Sequence, residues 1–166
     1  MTRRQGLVLL AILGVIVLIS PSFTADRAAA QTTYQAGVSV TLRAERYGMA
    51  PGTQLPLQLV FANTGTQSVT IKMGCDPGVD FRVYGPDGAL IWRFHPTCAE
   101  APFEITIPAG GERVWTTVWP GTNQAGGVIH RGLYSIYGFV YSRPVPAVAG
   151  PVVVEAGGEG AAPEHP

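Results

Sequence analysis

Short runs of alternating apolar and polar residues recur along the chain and constrain its fold more than any other feature. In the first run, Val38, Val40 and Leu42 alternate with polar residues, which is the period-two pattern of a strand with one buried face. The same reasoning predicts eight or nine strands. They cover residues 38–43, 55–61, 69–73, 79–84, 89–94, 103–107, 114–119 and 133–141, with 151–155 as an additional edge strand.

Turn-forming residues separate these runs. The segments 63–66 (Asn-Thr-Gly-Thr) and 85–88 (Gly-Pro-Asp-Gly) hold residues that tolerate positive φ angles or preset a reversal. A third segment, 108–111, reads Pro-Ala-Gly-Gly. We predict that each segment closes a hairpin between the two strands it joins, and that the Gly-rich residues 121–127 form a loop.

The composition agrees with many short strands. Charged residues make up only 13% of the chain, whereas Gly and Pro number 21 and 14, and no segment shows the helical period. The turns recur at the spacing of about 8–12 residues that is typical of two packed antiparallel sheets. We therefore expect an all-β, immunoglobulin-like antiparallel β-sandwich over residues 31–155. Residues 156–166 lack large apolar side chains, and we expect them to form a disordered polar tail.

The N-terminus has the pattern of a signal peptide. Arg3 and Arg4 precede an apolar run of 14 residues, Gly6 to Ile19, which is shorter than the roughly 20 residues that span a bilayer. The triplet Ala28-Ala29-Ala30 offers a cleavage site before Gln31. This pattern predicts export to an extracellular, periplasmic or cell-surface location, without membrane insertion after cleavage. An uncleaved N-terminal anchor is the alternative.

The charge of the chain excludes two classes of partner. The whole sequence has 11 basic and 11 acidic residues, and loss of residues 1–30 would leave 8 basic and 10 acidic ones, a net charge of −2. Neither count provides the basic surface that nucleic acid or an anionic membrane requires. We therefore expect neither partner.

Export changes the interpretation of the two cysteines. In an oxidising compartment, a pair of cysteines in a small domain usually forms a disulfide, and we predict the bond Cys75–Cys98. The closed loop of about 24 residues would stabilise the fold by roughly 3 kcal/mol. The alternative is a metal site built from Met73, Cys75, His95 and Cys98, but their spacing matches no zinc or blue-copper pattern.

Several short motifs follow one another through the middle of the chain, from about Leu57 to Val140. They are Asn63-Thr64-Gly65, Gly74 with Asp80-Phe81, Asp87-Gly88 before Trp92, then Pro108, Gly110, Glu112 and Trp119, and finally Gly132 with Tyr134. In this order they resemble the BsuPI-type intracellular proteinase inhibitor family. The resemblance implies a compact β-sandwich that inhibits a serine proteinase. This chain differs from the family's namesake by its export signal and its cysteine pair.

Most of these residues also have a purely structural interpretation. Asn63, Gly65 and the pair Asp87-Gly88 are what tight turns require in any protein. The aromatic residues Trp92, Trp119 and Tyr134 are expected in the core, with Tyr134 a candidate tyrosine corner. Trp115 lies on the strand face opposite Val114, so it is the one aromatic residue that suggests an exposed binding surface.

The sequence offers no recognisable catalytic group or cofactor motif. The three histidines, His95, His130 and His165, occupy no known catalytic motif. Asp76 and Asp80 could pair as carboxylates, but they flank a turn and are expected to contact only water or backbone amides. We therefore predict that the protein is not an enzyme and uses no cofactor.

Two classes of function remain. The first is inhibition of a serine proteinase by a rigid loop, which loses little entropy on binding. The candidate contact residues are His95, Pro96, Thr97, Ala99, Glu100, Ala101, Pro102 and Phe103, around the predicted disulfide at Cys98; the same segment could equally be a plain connector. The second class is a non-catalytic interaction or structural module.

Overall fold

The computed structural model describes residues 28–33, 37–94, 101–143 and 146–157, and within these ranges it contains twelve strands and no helix. The strands are β1 (Ala28–Thr33), β2 (Val38–Ala44), β3 (Gly48–Met49), β4 (Leu55–Asn63), β5 (Val69–Met73), β6 (Val79–Tyr84), β7 (Leu90–Arg93), β8 (Phe103–Ile107), β9 (Glu112–Trp119), β10 (Gly132–Val140), β11 (Ser142–Arg143) and β12 (Ala147–Ala156). The described residues include no helix that could cross a membrane.

All nine predicted strands are present, and the three additional ones have simple explanations. β3 and β11 contain two residues each, too few for any periodicity to be visible. β1 lies across the predicted cleavage site, with residues 28–30 in the predicted signal peptide and residues 31–33 in the predicted sandwich domain. The all-β fold class is therefore confirmed, with more strands than the expected eight or nine.

The strands form three hydrogen-bonded sheets. One has the order β1-β2-β4-β9, the second β3-β12-β10-β6-β7, and the third β11-β5-β8. All ladders are antiparallel except the short parallel pair of β12 with β3. We refer to the first two as the four-stranded and the five-stranded sheet.

The core lies between the sheets and is filled by the inward residues of each strand. Alternate residues of β4, from Leu55 to Phe61, are completely buried, as the period-two pattern predicts. They face the inward side of β10, where a Cβ added to Gly138 would come within 2.5 Å of Leu59 Cδ1. The absence of a side chain at position 138 therefore lets the sheets approach closely at this point.

Two of the three predicted hairpins are wrong. The turn at 85–88 does join a hairpin, because β6 pairs with β7. However, β4 pairs with β2 and β9, whereas β5 pairs with β8 and β11, so the segment 63–66 closes no hairpin. The segment 108–111 likewise joins β8 and β9, which belong to different sheets.

These two turns close no hairpin because the segments 63–66 and 108–111 bend side by side at the same place between two sheets. The β4–β9 ladder ends at the pair Ala62 and Glu112, and the β5–β8 ladder begins at Val69 and Ile107. The two turns therefore lie opposite each other where an antiparallel ribbon passes from one sheet to the next. A tight turn in sequence produces a bend of the ribbon here instead of a hairpin.

Asn63 fastens this corner from within. Its side chain is buried, and its amide nitrogen lies 2.7 Å from the carbonyl oxygen of Gln67 and 3.0 Å from those of Ile107 and Pro108. Its Oδ1 accepts a hydrogen bond from the backbone N–H of Gly65 at 3.0 Å. One side chain thus connects both bends of the ribbon.

The domain ends later than the sequence suggested. Ala156, which was assigned to the tail, is the last residue of β12 and is buried. It pairs with Gly132 of β10 and with Met49 of β3, so sheet pairing holds it in place although the segment lacks large apolar residues. The remaining tail residues 158–166 and the predicted signal segment 1–27 lie outside the described residues.

Candidate functional site

The predicted contact segment 95–103 is described only at its C-terminal end, because residues 95–100 lie outside the described ranges. Ala101 and Pro102 are exposed, and Phe103 is partly buried at the start of β8. On the other side, the backbone N–H of Phe94 donates to the carbonyl oxygen of Phe81 at 2.9 Å, and the two rings meet edge to face at 5.9 Å. Both flanks of the segment are therefore anchored.

Cys75 is buried and disulfide-bonded. Cys98, the other cysteine of the sequence, lies outside the described residues, so the pairing Cys75–Cys98 stays a prediction. The alternative metal site loses support, since a bonded sulfur is not a thiolate ligand and Met73 is fully buried in the core. No group of three potential metal ligands occurs among the described residues.

The aromatic residues of the family resemblance have structural roles. Trp92 and Trp119 are buried in the core, and the Trp119 indole N–H donates to the carbonyl oxygen of Thr122 at 3.0 Å. The Tyr134 hydroxyl donates to the carbonyl oxygen of His130 at 2.8 Å, four residues upstream. Burial raises the pKa of Tyr134 above its usual value of 10.0. Tyr134 therefore makes the backbone hydrogen bond that a tyrosine corner requires.

Trp115 is not the exposed binding residue that the strand pattern suggested. It is partly buried, and its ring lies 4.8 Å from the ring of Phe61. The guanidinium of Arg113 lies 5.5 Å from the indole centroid. Trp115 thus closes the edge of the core at β9 and leaves only part of its surface accessible.

The Gly-rich loop protects a sheet edge. The backbone N–H of Gln124 donates to the carbonyl oxygen of Ile91 at 2.7 Å, and the side chain of Gln124 accepts from the N–H of Arg93 at 2.9 Å. These bonds occupy backbone groups of β7, which is an edge strand and would otherwise invite pairing with another chain. His130 and Arg131 at the end of this loop are exposed.

An apolar surface lies on the side of the five-stranded sheet that faces away from the core. Leu133, Val148 and Val153 are 59%, 42% and 44% exposed there. They border an open cavity of about 800 Å³ that runs along β10. We call this surface the outer groove; its side-chain walls and floor are formed by Tyr84, Pro86, Leu133, Ser135, Tyr137, Phe139, Val148 and Val153.

Aromatic rings give the outer groove its shape. Tyr84 and Tyr137 meet edge to face at 5.5 Å, and Tyr137 and Phe139 lie 6.5 Å apart in a tilted arrangement. The small Ser135 lies opposite Tyr84 on one neighbouring strand and Val153 on the other. The groove therefore has a low floor at Ser135 between higher walls.

A cluster of charged side chains lies beside the Phe139 end of the outer groove. Oδ2 of Asp80 lies 2.9 Å from Nε of Arg82 and 2.9 Å from a terminal nitrogen of Arg93. The Tyr141 hydroxyl donates to the same oxygen at 3.2 Å and accepts from Arg82 at 2.7 Å. We call these four residues the Asp80 cluster.

This cluster corrects the expectation that Asp76 and Asp80 contact only water or backbone amides. Asp80 is fully buried and bound to two guanidinium groups, whereas Asp76 is exposed. Burial by itself would lower the pKa of Arg82, but its hydrogen bonds to Asp80 and Tyr141 outweigh that effect and raise it. Arg82 is therefore permanently charged.

Two guanidinium groups share one carboxylate in the described part of the chain. The Arg82 guanidinium lies 3.9 Å from the ring centroid of Phe139, which lines the outer groove. Nε of Arg93 is buried and has no hydrogen-bond partner among the described residues. Counted over the described residues, the groove thus ends beside a site with more positive than negative charge.

Sequence reasoning missed the outer groove, although one signal was present. The outward positions of β10 carry Leu133, Tyr137 and Phe139, so both faces of this strand are apolar and alternation is incomplete. An antiparallel strand with one solvated face normally shows polar residues there. The Asp80 cluster gave no such signal, because Arg93 and Tyr141 are 13 and 61 residues from Asp80 in the sequence.

No model of a known protein family matches the chain, and no curated protein matches its sequence. Among solved structures, a β-glucosidase from Erythrobacter marinus is 11% identical over 78% of this chain and 15% of its own, with a TM-score of 0.40. An alkylpurine DNA glycosylase from Pseudomonas fluorescens, bound to DNA containing an abasic site analogue, is 9% identical over 80% of this chain and 30% of its own, also at 0.40.

The match to a shorter solved structure covers a larger share of that structure. The CARDB domain of a Pyrococcus furiosus protein, in complex with di-metal ions, is 14% identical over 79% of this chain and 87% of its own, with a TM-score of 0.37. The chain spans less than a third of the length of the two enzymes above. Similarities of this size assign no function.

Proposed function

We propose that the protein is an exported, non-catalytic binding module and that a serine proteinase is its partner, contacted through segment 95–103. The resemblance to the BsuPI-type inhibitors supports this proposal. The observation that carries it is the anchoring of the segment at both ends, since a loop with fixed ends loses little conformational entropy when it binds.

The two anchors belong to different sheets. Phe94 follows β7 and is bonded to Phe81 of the five-stranded sheet, whereas Phe103 begins β8 and pairs with Met73 of β5. Cys75, which is disulfide-bonded, follows Met73 by two residues. A bond from Cys75 to Cys98 would add a third anchor inside the segment.

We also propose that the sandwich is immunoglobulin-like. The order β12-β10-β6 in one sheet and β2-β4-β9 in the other is that of strands G, F and C and of strands A, B and E in such domains. Tyr134 near the start of β10 supports this equivalence, because the tyrosine corner belongs to strand F.

Assays of the purified protein against a panel of secreted serine proteinases test the inhibitory function. Replacement of Thr97, Ala99 and Glu100 by Gly should raise the inhibition constant at least tenfold. It should change thermal stability little, because substitutions in a surface loop, which this proposal takes the segment to be, usually cost less than about 0.5 kcal/mol each. The matched control replaces the exposed residues Thr66, Gln67 and Ser68 by Gly and should inhibit as the unmodified protein does.

Two outcomes would contradict parts of the proposal. If no proteinase is inhibited at micromolar concentration, inhibition is not the function. If the protein inhibits but the triple replacement inhibits equally well, the contact surface lies elsewhere, and the loop 121–131 is the next candidate.

A second candidate is a non-catalytic extracytoplasmic interaction module that acts through the outer groove. It is favoured by the exposure of Leu133, Val148 and Val153 on one surface, since single domains rarely expose contiguous apolar surface without a binding role. Val153→Ser would impair such a module without affecting proteinase inhibition.

A further inference from the structure

We propose that the outer groove binds an acyl chain that carries a carboxylate, with the chain lying along β10 and the carboxylate beside Arg82 and Arg93. This inference does not depend on proteinase inhibition by segment 95–103. It follows from the apolar character of the groove, the pairing of the strands beneath it, and the charge at one end.

The dimensions and lining of the groove suit a ligand of this class. Its volume of about 800 Å³ lies within the range of about 300–1,000 Å³ typical of small-molecule sites, which are mainly apolar with a few polar groups. The outward residues from Leu133 to Phe139 extend over six steps of a strand, or roughly 20 Å. Valine, leucine and aromatic side chains line this path, with Ser135 as the small residue at its floor.

Strand pairing argues against an extended peptide as the ligand. β10 lies between β12 and β6, and both neighbours are hydrogen-bonded to it along most of its length. The floor of the groove therefore offers few free backbone groups, and an extended peptide would bury its own N–H and C=O groups without partners, which is costly. An acyl chain has no such groups to satisfy.

The charge at the Phe139 end selects the head group. Among the described residues, Arg82 and Arg93 share one carboxylate, that of Asp80, and their side chains are 23% and 26% exposed. A ligand carboxylate placed there would balance the second guanidinium through a charge-assisted hydrogen bond. A cationic head group would be repelled by the same pair.

Isothermal titration calorimetry with dodecanoate, below its micelle-forming concentration, tests the proposal on the intact protein. Complete burial of one CH₂ group is worth about fourfold in affinity, so decanoate, which is two CH₂ groups shorter, should bind up to about 16-fold more weakly than dodecanoate. The dodecyltrimethylammonium ion has a chain of the same length and the opposite charge. It should bind at least tenfold more weakly than dodecanoate.

Variants localise the site. Val153→Ser should weaken dodecanoate binding at least threefold, whereas Val118→Ser should not, although Val118 is 45% exposed on the four-stranded sheet and Val153 is 44% exposed in the groove. Arg93→Gln should reduce the preference for dodecanoate over the cationic amphiphile, and this ratio remains measurable even if the variant is less stable. The thermal midpoint of each variant shows that it is folded.

Three results would overturn the inference. These are no binding of dodecanoate at 1 mM, equal binding of the anionic and cationic amphiphiles, or equal loss in Val153→Ser and Val118→Ser. Self-association of the protein that Val153→Ser abolishes would also overturn it, because the groove would then be the contact surface of a second copy. If Val153→Ser weakens dodecanoate binding but leaves proteinase inhibition unchanged, binding in the outer groove is independent of the function of segment 95–103.

Discussion

Replacement of Asn63 by Ala should destabilise the fold by about 3 kcal/mol. The amide group has two hydrogens, which are shared among three carbonyl oxygens at 2.7–3.0 Å, and Oδ1 accepts a further bond at 3.0 Å. This equals three hydrogen bonds, each with a net contribution of about 1 kcal/mol when buried. The free energy of unfolding of a domain is typically about 5–15 kcal/mol, so the loss would be readily measured.

Urea unfolding followed by tryptophan fluorescence provides the assay, and an unchanged m-value would show that only stability has changed. Thr64→Ala is the matched control, because the Thr64 hydroxyl makes one exposed bond to the carbonyl oxygen of Gly37 at 2.8 Å. It should cost about 0.5 kcal/mol or less. A loss below about 1 kcal/mol in Asn63→Ala would refute the view that this side chain fastens the corner.

Asn63→Asp separates the donor from the acceptor function of the same side chain. The carboxylate keeps an acceptor for Gly65 but turns a negative charge toward the carbonyl oxygens of Ile107 and Pro108. Burial and these oxygens should raise the pKa of the new carboxyl in the folded state. The variant should therefore be more stable near pH 4 than at pH 7, because a raised folded-state pKa stabilises the fold only while the group is protonated.

Four further predictions follow from packing, burial and the cysteine pair. Gly138→Ala should cost about 1–3 kcal/mol by overpacking against Leu59, whereas Gly48→Ala, whose added Cβ would have no neighbour closer than 3.9 Å, should be nearly neutral in urea unfolding. Tyr134→Phe should lose about 1 kcal/mol. Because the pKa of Tyr134 is raised in the folded state, its contribution should be present below pH 10 and lost as the pH rises through the folded-state value, and the Phe variant should lack this dependence. Thiol titration of the denatured, unreduced protein should find no free thiol, and two free thiols would refute the Cys75–Cys98 bond. Sequencing of the exported protein should find Gln31 at its N-terminus, whereas Met1 in membrane fractions would indicate an anchor.

Period-two alternation predicts the strands because it depends only on which residues face the core. Val38, Val40 and Leu42 are buried as expected, and so are the inward residues of β4. Each assignment needs only a local pattern of side chains, and the burial of one strand face follows from it. This part of the fold could therefore be read without knowledge of which strand pairs with which.

Strand pairing could not be read in the same way. The turns at 63–66 and 108–111 have the composition of hairpin loops, but whether a turn closes a hairpin depends on the next strand's partner. Here β9 pairs with β4 and β8 with β5, and these contacts join residues 30–64 positions apart. The side chain of Asn63, which a turn motif also favours, performs its main role through the distant residues Ile107 and Pro108.

The candidate functional surfaces, like the strand pairing, could not be predicted from local sequence patterns. The motifs of the family resemblance occupy turns and core positions, so they describe the framework of the domain and not its contact surface. Asp87 illustrates this, since its carboxylate accepts the N–H of Ala89 within the β6–β7 turn. The outer groove and the Asp80 cluster arise from cross-strand neighbours, such as Arg82 opposite Arg93, which no local pattern predicts.

The position of β1 bears on export and folding together. Ala28, Ala29 and Ala30 pair with Ala44, Arg43 and Leu42, so cleavage before Gln31 would remove half of this strand. The loss would be limited, because β2 remains paired with β4 along its whole length; Ala30, which packs against the core, would be removed with the segment. The freed end of β2 would become a sheet edge, where the charges of Arg43 and Glu45 would oppose pairing with another chain. The sandwich can therefore lose the predicted signal segment and keep its core.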